Sequence, residues 1–216
     1  MALKLYQSDL SPYAVRVRIL ASAKGVKLEC VSPPGGSKSA EYLGINPLGK
    51  VPCLVTDDAV IPESEVICEF LEDNFPSPTL RPVDPEARAR VRLVSRLADL
   101  YVGGALTKLL GQMRFKTRDA AIAEAAFAEL DTAFANISHF LEGPDYAVGG
   151  RLSLADCTLM PLLYLIDARI APVFRRPSPI AGKLKTYFDA VRNDPHIAKA
   201  LAEMATALDA YAKAAG

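Results

Sequence analysis

Apolar positions in the N-terminal part of the chain switch repeatedly between strand-like and helix-like spacing. Short apolar runs with the length of strands lie at 3–6, 28–31, 51–56 and 60–61. Helical spacing begins at Pro12, reappears weakly near 39–43 and returns over 66–75. The polar pair at 57–58 predicts that the last two strands form a hairpin. This order of elements predicts a small mixed sheet with helices packed on it.

The pattern becomes helical throughout after a proline-rich stretch. Residues 76–85 contain four prolines, which cannot continue a helix and which therefore predict a linker. Beyond it, two helical apolar faces are formed by Leu93, Leu97, Leu100 and Tyr101, and by Leu130, Phe134, Ile137 and Leu141. Residues 154–168 are apolar nearly all round, which predicts a buried central helix. Two further helices are expected near 180–193 and 195–212.

These patterns predict an α/β domain over 1–78, a linker over 79–86 and an all-α bundle over 87–216. The 216 residues are 50% hydrophobic and 23% charged, which is typical of a chain with a packed core. Lys and Arg total 25 and so do Asp and Glu, and this balance argues against nucleic acid or an anionic membrane as partner.

No apolar run approaches the roughly 18 residues of a spanning helix, and the N-terminus has no apolar signal core. We therefore expect a cytoplasmic protein. The four cysteines, at 30, 53, 68 and 157, form neither a C-x-x-C motif nor a cluster with histidine. No metal site is predicted, and free thiols are expected, with Cys53 as a buried strand residue.

The loop between the first strand and the first helix carries the first candidate for chemistry. Ser11 stands immediately before Pro12, where a helix is expected to begin. A hydroxyl at this place lies beside free backbone N–H groups and partial positive charge. Ser11 can therefore cap the helix or donate to a bound anion, and the loop alone does not distinguish these roles.

Two other segments carry weaker signals. In Asn46-Pro47-Leu48-Gly49-Lys50-Val51-Pro52, a cis Val51–Pro52 bond would leave the Val51 N–H and C=O free to pair with an extended peptide. Only about 5–6% of X–Pro bonds are cis, so the sequence alone does not justify a cis bond here. At the start of the third helix, Ser64 can cap the helix or help to hold a carboxylate, and Glu63 can accept from an ammonium group. For this segment alone, a plain cap is the better interpretation.

A fourth signal predicts structure and not chemistry. Ser153 and Asp156 have the spacing of a capping box at the start of the buried helix, in which each side chain reaches the backbone N–H of the other residue.

Together, in this order, these four elements resemble the cytosolic glutathione transferase superfamily over essentially the whole chain. The resemblance implies a thioredoxin-like α/β domain followed by an all-α helical bundle. The segment Ser-Pro-Tyr-Ala-Val-Arg-Val-Arg at 11–18 is most similar to the omega, tau and zeta classes. Omega members have cysteine where this chain has Ser11, whereas tau and zeta members have serine. A serine cannot form a mixed disulfide, which weakens a thiol-transfer role.

The resemblance implies a glutathione site formed by Ser11, Lys38, Lys50, Val51, Pro52, Glu63 and Ser64. In it, Ser11 would donate to the glutathione sulfur and Lys38 would meet the glycine carboxylate. Val51 would pair through its backbone with the cysteinyl part. Glu63 and Ser64 would hold the γ-glutamyl ammonium and carboxylate. Lys50 is equally well explained as a solvated lysine.

The family also implies an electrophile site between the domains and a homodimer. Candidate residues of that site are Tyr13, Tyr101, Leu106, Met113 and Phe115, although core packing is the alternative for each. Glutathione would be the co-substrate, and a small apolar electrophile its partner in the reaction.

Three functions follow from this resemblance. The first is a glutathione transferase that activates the thiol for addition to electrophiles. The second is a zeta-type isomerase. The Arg-Val-Arg run at 16–18 resembles that class, although its usual Ser-Ser-Cys run is absent. The third is a binding module without catalysis, against which the intact set of predicted glutathione contacts counts.

Overall fold

A computed structural model of the chain describes residues 2–113 and 118–215. Contacts between residues divide it into two compact units. The first unit combines Met1–Leu80 with Pro195–Gly216, and the second is Arg81–Asp194. The predicted mixed α/β region and the predicted helical region are both confirmed.

The first unit is built on a four-stranded sheet. In chain order its elements are β1 (Lys4–Tyr6), α1 (Pro12–Ala23), β2 (Glu29–Val31), α2 (Ala40–Ile45), β3 (Cys53–Val55), β4 (Val60–Pro62) and α3 (Ser64–Asn74). The strand order is β2-β1-β3-β4, with β1 parallel to β2 and antiparallel to β3, and β3 antiparallel to β4. Leu5 and Leu54 face each other across β1 and β3 and are fully buried. The sheet is therefore mixed, as predicted.

A buried ion pair links the end of α1 to α3 and to the residues that follow α3. Lys24 Nζ lies 2.8 Å from Glu72 Oε1, and both side chains are almost completely buried. Lys24 also donates to the carbonyl of Pro78, at 2.7 Å, and the backbone N–H of Leu80 donates to Glu72 Oε1, at 3.0 Å. These bonds join the ends of α1 and α3 to the first residues of the proline-rich stretch.

The second unit contains helices and no strand within its described residues. These are α4 (Pro85–Leu97), a π-helical turn (Ala98–Val102), α5 (Gly103–Met113), α6 (Ala120–Phe140), α7 (Leu154–Leu165), a second π-helical turn (Ile166–Ile170), α8 (Ala171–Val173) and α9 (Gly182–Val191). Gly103 and Gly104 lie where the first π-helical turn changes to α5.

Helix α7 is the buried centre of the second unit, as its apolar sequence predicted. It packs against α4 and α9, and every residue from 154 to 163 is buried. The predicted capping box starts it: the Ser153 N–H and hydroxyl both donate to Asp156 Oδ2, at 2.8 Å. Asp156 Oδ1 accepts from the Ala147 N–H at 2.8 Å and from the Tyr187 hydroxyl at 2.9 Å.

The two apolar faces predicted in this half differ in burial. Leu130, Phe134, Ile137 and Leu141 are buried, whereas Leu93, Leu100 and Tyr101 are exposed large side chains. The buried stripe of α4 and the following turn consists of Val91, Val94, Ala98 and Val102. Because this stripe of smaller residues faces the core, the larger leucines lie on the outer side.

The last helix, α10 (Pro195–Ala215), packs against α1 in the first unit. The sequence-based boundaries, 1–78, 79–86 and 87–216, assign this helix to the bundle and remain a prediction. Within residues 2–113 and 118–215, no helix is both long and apolar enough to cross a membrane. The same residues contain no group of three or more potential metal ligands.

Candidate active site

Ser11 is the N-cap of α1. Its Oγ accepts from the Ala14 N–H at 3.3 Å, and its own N–H donates to the Ser8 carbonyl at 3.0 Å. The predicted capping role is therefore present. The side chain is half-buried, and its hydroxyl hydrogen has no acceptor among the described residues. Ser11 can cap the helix and still donate to a ligand, so the two roles are compatible.

The segment before β3 is held by Tyr42 and Asn46, in a role that the sequence did not predict. The Lys50 carbonyl accepts from the Tyr42 hydroxyl at 2.7 Å and from Asn46 Nδ2 at 3.0 Å. The Val51–Pro52 bond that follows is cis. Within the part of the chain that the structure describes, the Val51 N–H and C=O have no hydrogen-bond partner. They are available to an extended peptide.

Lys38 lies next to this segment. Gly49 has a φ of +56°, and a Cβ at this position would come within 2.9 Å of the Ser37 carbonyl and 3.0 Å of Lys38 Nζ. Only glycine fits both the backbone conformation and the close approach. The contact brings the Lys38 ammonium group, 13 residues before Val51 in sequence, beside the turn that leads to it. Lys38 and Lys50 are both exposed.

The start of α3 differs from a plain serine cap. Glu63 occupies the N-cap position, makes no side-chain capping bond and has a φ of +70°, whereas Ser64 is the buried first residue of the helix. The plain-cap interpretation of Ser64 is therefore wrong. A glutamate with positive φ is strained, and strained residues concentrate at functional sites. Its exposed carboxylate has no partner among the described residues.

Sheet register brings these segments together. Tyr6 pairs with Cys53, and Cys53 pairs with Pro62. The end of β1, the start of β3 and the end of β4 therefore lie side by side at one edge of the sheet. The loop that carries Ser11 follows β1, Val51 and Pro52 precede β3, and Glu63 follows β4.

Cys53 is part of the core at this edge. It is fully buried, as predicted for a strand thiol, and burial raises its pKa to about 11. At neutral pH the thiol is therefore protonated, and a weak nucleophile.

The candidate electrophile residues are placed differently from one another. Tyr13 and Met113 are half-buried, Leu106 is in the core, and Phe115 lies outside the described residues. Tyr101 is 54% exposed and lines a groove of about 670 Å³ along α5 and α6 that Leu106 and Met113 do not line. The electrophile site remains a prediction.

Comparison with known proteins identifies the family. Residues 5–79 match the glutathione S-transferase N-terminal domain, and residues 95–195 match the glutathione S-transferase C-terminal domain. A stringent starvation protein A homolog from Coxiella burnetii is 30% identical over 168 residues, 74% of each chain. Maleylacetoacetate isomerase from Rattus norvegicus is 34% identical over 169 residues, 73% of this chain and 74% of that protein.

A solved structure extends this similarity to the fold. The glutathione S-transferase from Methylobacillus flagellatus, determined with GSH bound, has a TM-score of 0.77 and 26% identity. The alignment covers 92% of this chain and 98% of that one. The shared fold, the two domain matches and the convergence of the Ser11, Val51 and Glu63 segments agree, and the chain belongs to the glutathione S-transferase family, as one of its transferase enzymes.

Proposed function

We propose that this enzyme binds glutathione at the sheet edge where β1, β3 and β4 end side by side, activates its thiol with Ser11 and adds it to small hydrophobic electrophiles. The observation that supports this most strongly is the register of Tyr6, Cys53 and Pro62. It gathers three segments that each carry a polar group without a partner among the described residues: the Ser11 hydroxyl hydrogen, the Val51 N–H and C=O, and the Glu63 carboxylate.

The groups available at this edge match the chemistry of glutathione. The tripeptide has two carboxylates, one ammonium group and an extended peptide backbone in the middle. Lys38 supplies a cation for one carboxylate, and the free N–H groups at the start of α3 suit the other. Glu63 supplies an acceptor for the ammonium group, and Val51 supplies backbone N–H and C=O groups for the centre.

Thiol activation has a definite energetic requirement. A thiol with a pKa near 8.5 is only about 3% ionised at pH 7. Lowering that pKa by about two units requires about 2.7 kcal/mol of preferential stabilisation of the thiolate. A hydrogen bond from the Ser11 hydroxyl to a charged sulfur supplies about 1.5–3 kcal/mol, and the partial positive charge at the start of α1 supplies the remainder. No histidine adjoins Ser11 in sequence, so it acts as a donor and not as a nucleophile.

Calorimetric titration of the folded protein with glutathione tests the binding step. We expect saturable heat, together with an ultraviolet difference signal of bound thiolate at neutral pH. Absence of heat at millimolar glutathione, with the fold verified by circular dichroism, would overturn the proposed function. Turnover of aryl halide electrophiles with glutathione, absent without it, tests the transfer step.

A zeta-type isomerase is the second candidate. The 34% identity to a maleylacetoacetate isomerase favours it, and the thiol site would serve both reactions. The two differ in product: a transferase accumulates the glutathione adduct, whereas an isomerase regenerates free glutathione. Mass spectrometry of the reaction with a cis-configured conjugated dicarboxylic acid distinguishes them.

We also propose a homodimer in the cytoplasm, where reduced glutathione is available. The outer stripe formed by Leu93, Leu100 and Tyr101 supplies exposed apolar surface for subunit contact. Light scattering during gel filtration should give about twice the chain mass of 23.2 kDa. A monomer at micromolar concentration would contradict this.

A further inference from the structure

The loop that carries Ser11 is fixed from one side by an ionic contact. Asp9 Oδ1 lies 2.8 Å from Arg18 Nη1 and accepts a hydrogen bond from Gln7 Nε2 at 3.1 Å. Arg18 stands on α1, the helix that Ser11 caps. Helix α1 therefore contacts this loop at two places: at its start, where Ser11 is the N-cap, and about two turns later, where Arg18 contacts Asp9.

The loop's own hydrogen bonds are few. The Ser11 N–H donates to the Ser8 carbonyl at 3.0 Å, and the Leu10 N–H donates to Ser8 Oγ at 3.4 Å, near the limit of a hydrogen bond. A backbone with so little internal support depends on side-chain contacts for its position. Asp9 provides such a contact two residues before Ser11.

Arg18 also connects the loop to the last helix. Its Nη1 lies 2.7 Å from Glu203 Oε2 on α10, so one guanidinium nitrogen bridges two carboxylates. A second contact joins the same helices, because Ser22 Oγ and His196 Nδ1 lie 2.9 Å apart. All of these residues belong to the first unit.

Only the Arg18 end of this bridge is shielded from water. The Arg18 side chain is 12% exposed, whereas those of Asp9 and Glu203 are 47% and 43% exposed, so water and salt screen the two ion pairs in part. The Nε and Nη2 of Arg18 are buried without an acceptor among the described residues. Buried unpaired N–H groups reduce stability. Stability alone therefore explains this arginine poorly, and a role in placing the loop explains it better.

We infer that Arg18 is a positioning residue for thiol activation: it fixes Asp9, and through it the Ser11 hydroxyl, while Glu203 makes α10 part of the same support. The inference rests on the proposed function for its effect on turnover. A hydroxyl displaced by a fraction of an ångström no longer meets the sulfur with good geometry, and activation weakens while the other glutathione contacts remain.

The primary test compares Arg18→Gln and Asp9→Asn with the wild type. We expect kcat to fall about tenfold, as loss of one charge-assisted contact would give. The pKa of bound glutathione, read from the pH profile of kcat/KM for the electrophile at saturating glutathione, should rise, while the Kd of glutathione changes less than about threefold. Glu203→Gln should act in the same direction and more weakly, because Asp9 keeps its ion pair.

Two controls separate positioning from general destabilisation. Lys4→Gln breaks the exposed Lys4–Glu29 pair, at 3.7 Å in the same unit, and should leave the thiol pKa and kcat unchanged. The double variant Asp9→Asn/Arg18→Gln should be no worse than Arg18→Gln alone, because Arg18→Gln already removes the contact that Asp9→Asn removes. If Arg18→Gln does not fold, Asp9→Asn still tests the proposal, since Arg18 then keeps Glu203.

Amide hydrogen exchange in the absence of glutathione gives a readout that does not depend on the proposed function. The Ser11 amide should exchange faster in Asp9→Asn and Arg18→Gln than in Lys4→Gln. Failure of the wild type to bind glutathione, with this exchange pattern intact, would reject the proposed function and keep the loop support. Unchanged exchange and unchanged thiol pKa in an active, folded variant would overturn the positioning role.

Discussion

Helices α1 and α7 both begin after a serine, and the two starts have opposite properties. Ser153 is 1% exposed, and its N–H and hydroxyl both donate to the Asp156 carboxylate. Ser11 is half-buried, and its hydroxyl hydrogen has no acceptor among the described residues. We call the start of α7 closed, because the Ser153 hydroxyl donates within the chain, and the start of α1 open, because the Ser11 hydroxyl does not.

The third helical residue accounts for this difference. In α7 that residue is Asp156, whose carboxylate satisfies the donors around the cap. In α1 it is Ala14, which offers its N–H to Ser11 and no acceptor in return. The open start therefore retains the Ser11 hydroxyl as a donor for a thiolate, whereas the closed start uses its groups for stability. A serine before a helix is informative only together with the residue three positions later.

The largest expected effect concerns the closed start. Asp156→Ala should lower the free energy of unfolding by about 3–5 kcal/mol, because it leaves the Ala147 N–H, the Ser153 groups and the Tyr187 hydroxyl unpaired in the core. Urea denaturation measures this. Glutathione affinity of the protein that remains folded should be unchanged, and a loss in stability below 1 kcal/mol would show that the network contributes little.

The pH dependence of the closed start gives the next effect. Burial raises the pKa of Asp156 from 3.8 to about 6, although its hydrogen-bond donors lower it. Because the folded pKa lies above the unfolded value, the stability contribution is complete below pH 4 and is lost as pH rises through about 6.

Comparison with Asp156→Asn isolates this contribution from that of other carboxylates. Between pH 4 and pH 7, the unfolding free energy of the wild type should fall relative to that of Asp156→Asn, by about 3 kcal/mol for a shift of about two pKa units. A difference that stays constant with pH would show that the Asp156 pKa is not raised.

The sequence predicted those features of the fold that depend on residues close together along the chain. The order of strands and helices follows from local periodicity, and the Ser153–Asp156 box lies within one helical turn. The Tyr187 hydrogen bond to Asp156 was not predicted, because its partners are 31 residues apart and no local pattern joins them. For the same reason the buried Lys24–Glu72 pair, 48 residues apart, was missed.

The site was predictable in part. The resemblance assigned roles to Ser11, Val51 and Glu63, and the sheet register places their segments at one edge. The positive φ of Glu63 and the contact between Gly49 and Lys38 had no sequence signal beyond a glycine in a turn. On α4, periodicity predicted the helix and not its buried side, because two of its faces are apolar.

The open start is tested by Ser11→Ala. We expect kcat to fall by about 10–100-fold, as loss of about 1.5–3 kcal/mol of hydrogen bonding to a charged sulfur would give. The Kd of glutathione should change much less, and stability should fall by only about 0.5–2 kcal/mol through the lost cap. Ser153→Ala is the matched control: it should lower stability and leave the pKa of bound glutathione unchanged. Equal effects of the two alanine variants on kcat would remove the contrast between the starts.

The start of α3 extends the comparison to a smaller effect. Glu63→Gln should weaken glutathione binding about tenfold, since the ammonium group loses its charged acceptor, with folding unchanged. Glu65→Gln, two residues later in the same first turn, should leave affinity as it is.

Glu63→Gly adds the stability arm of the same prediction. It removes the carboxylate and relieves the φ of +70°, so it should raise the free energy of unfolding by about 1 kcal/mol while weakening binding as Glu63→Gln does. Calorimetric titration and urea denaturation on the same samples measure both. A higher free energy of unfolding together with weaker glutathione binding would show that Glu63, like Ser11, serves the ligand and not the stability of the fold. Unaltered affinity in both variants would instead leave its strained backbone without a role in binding.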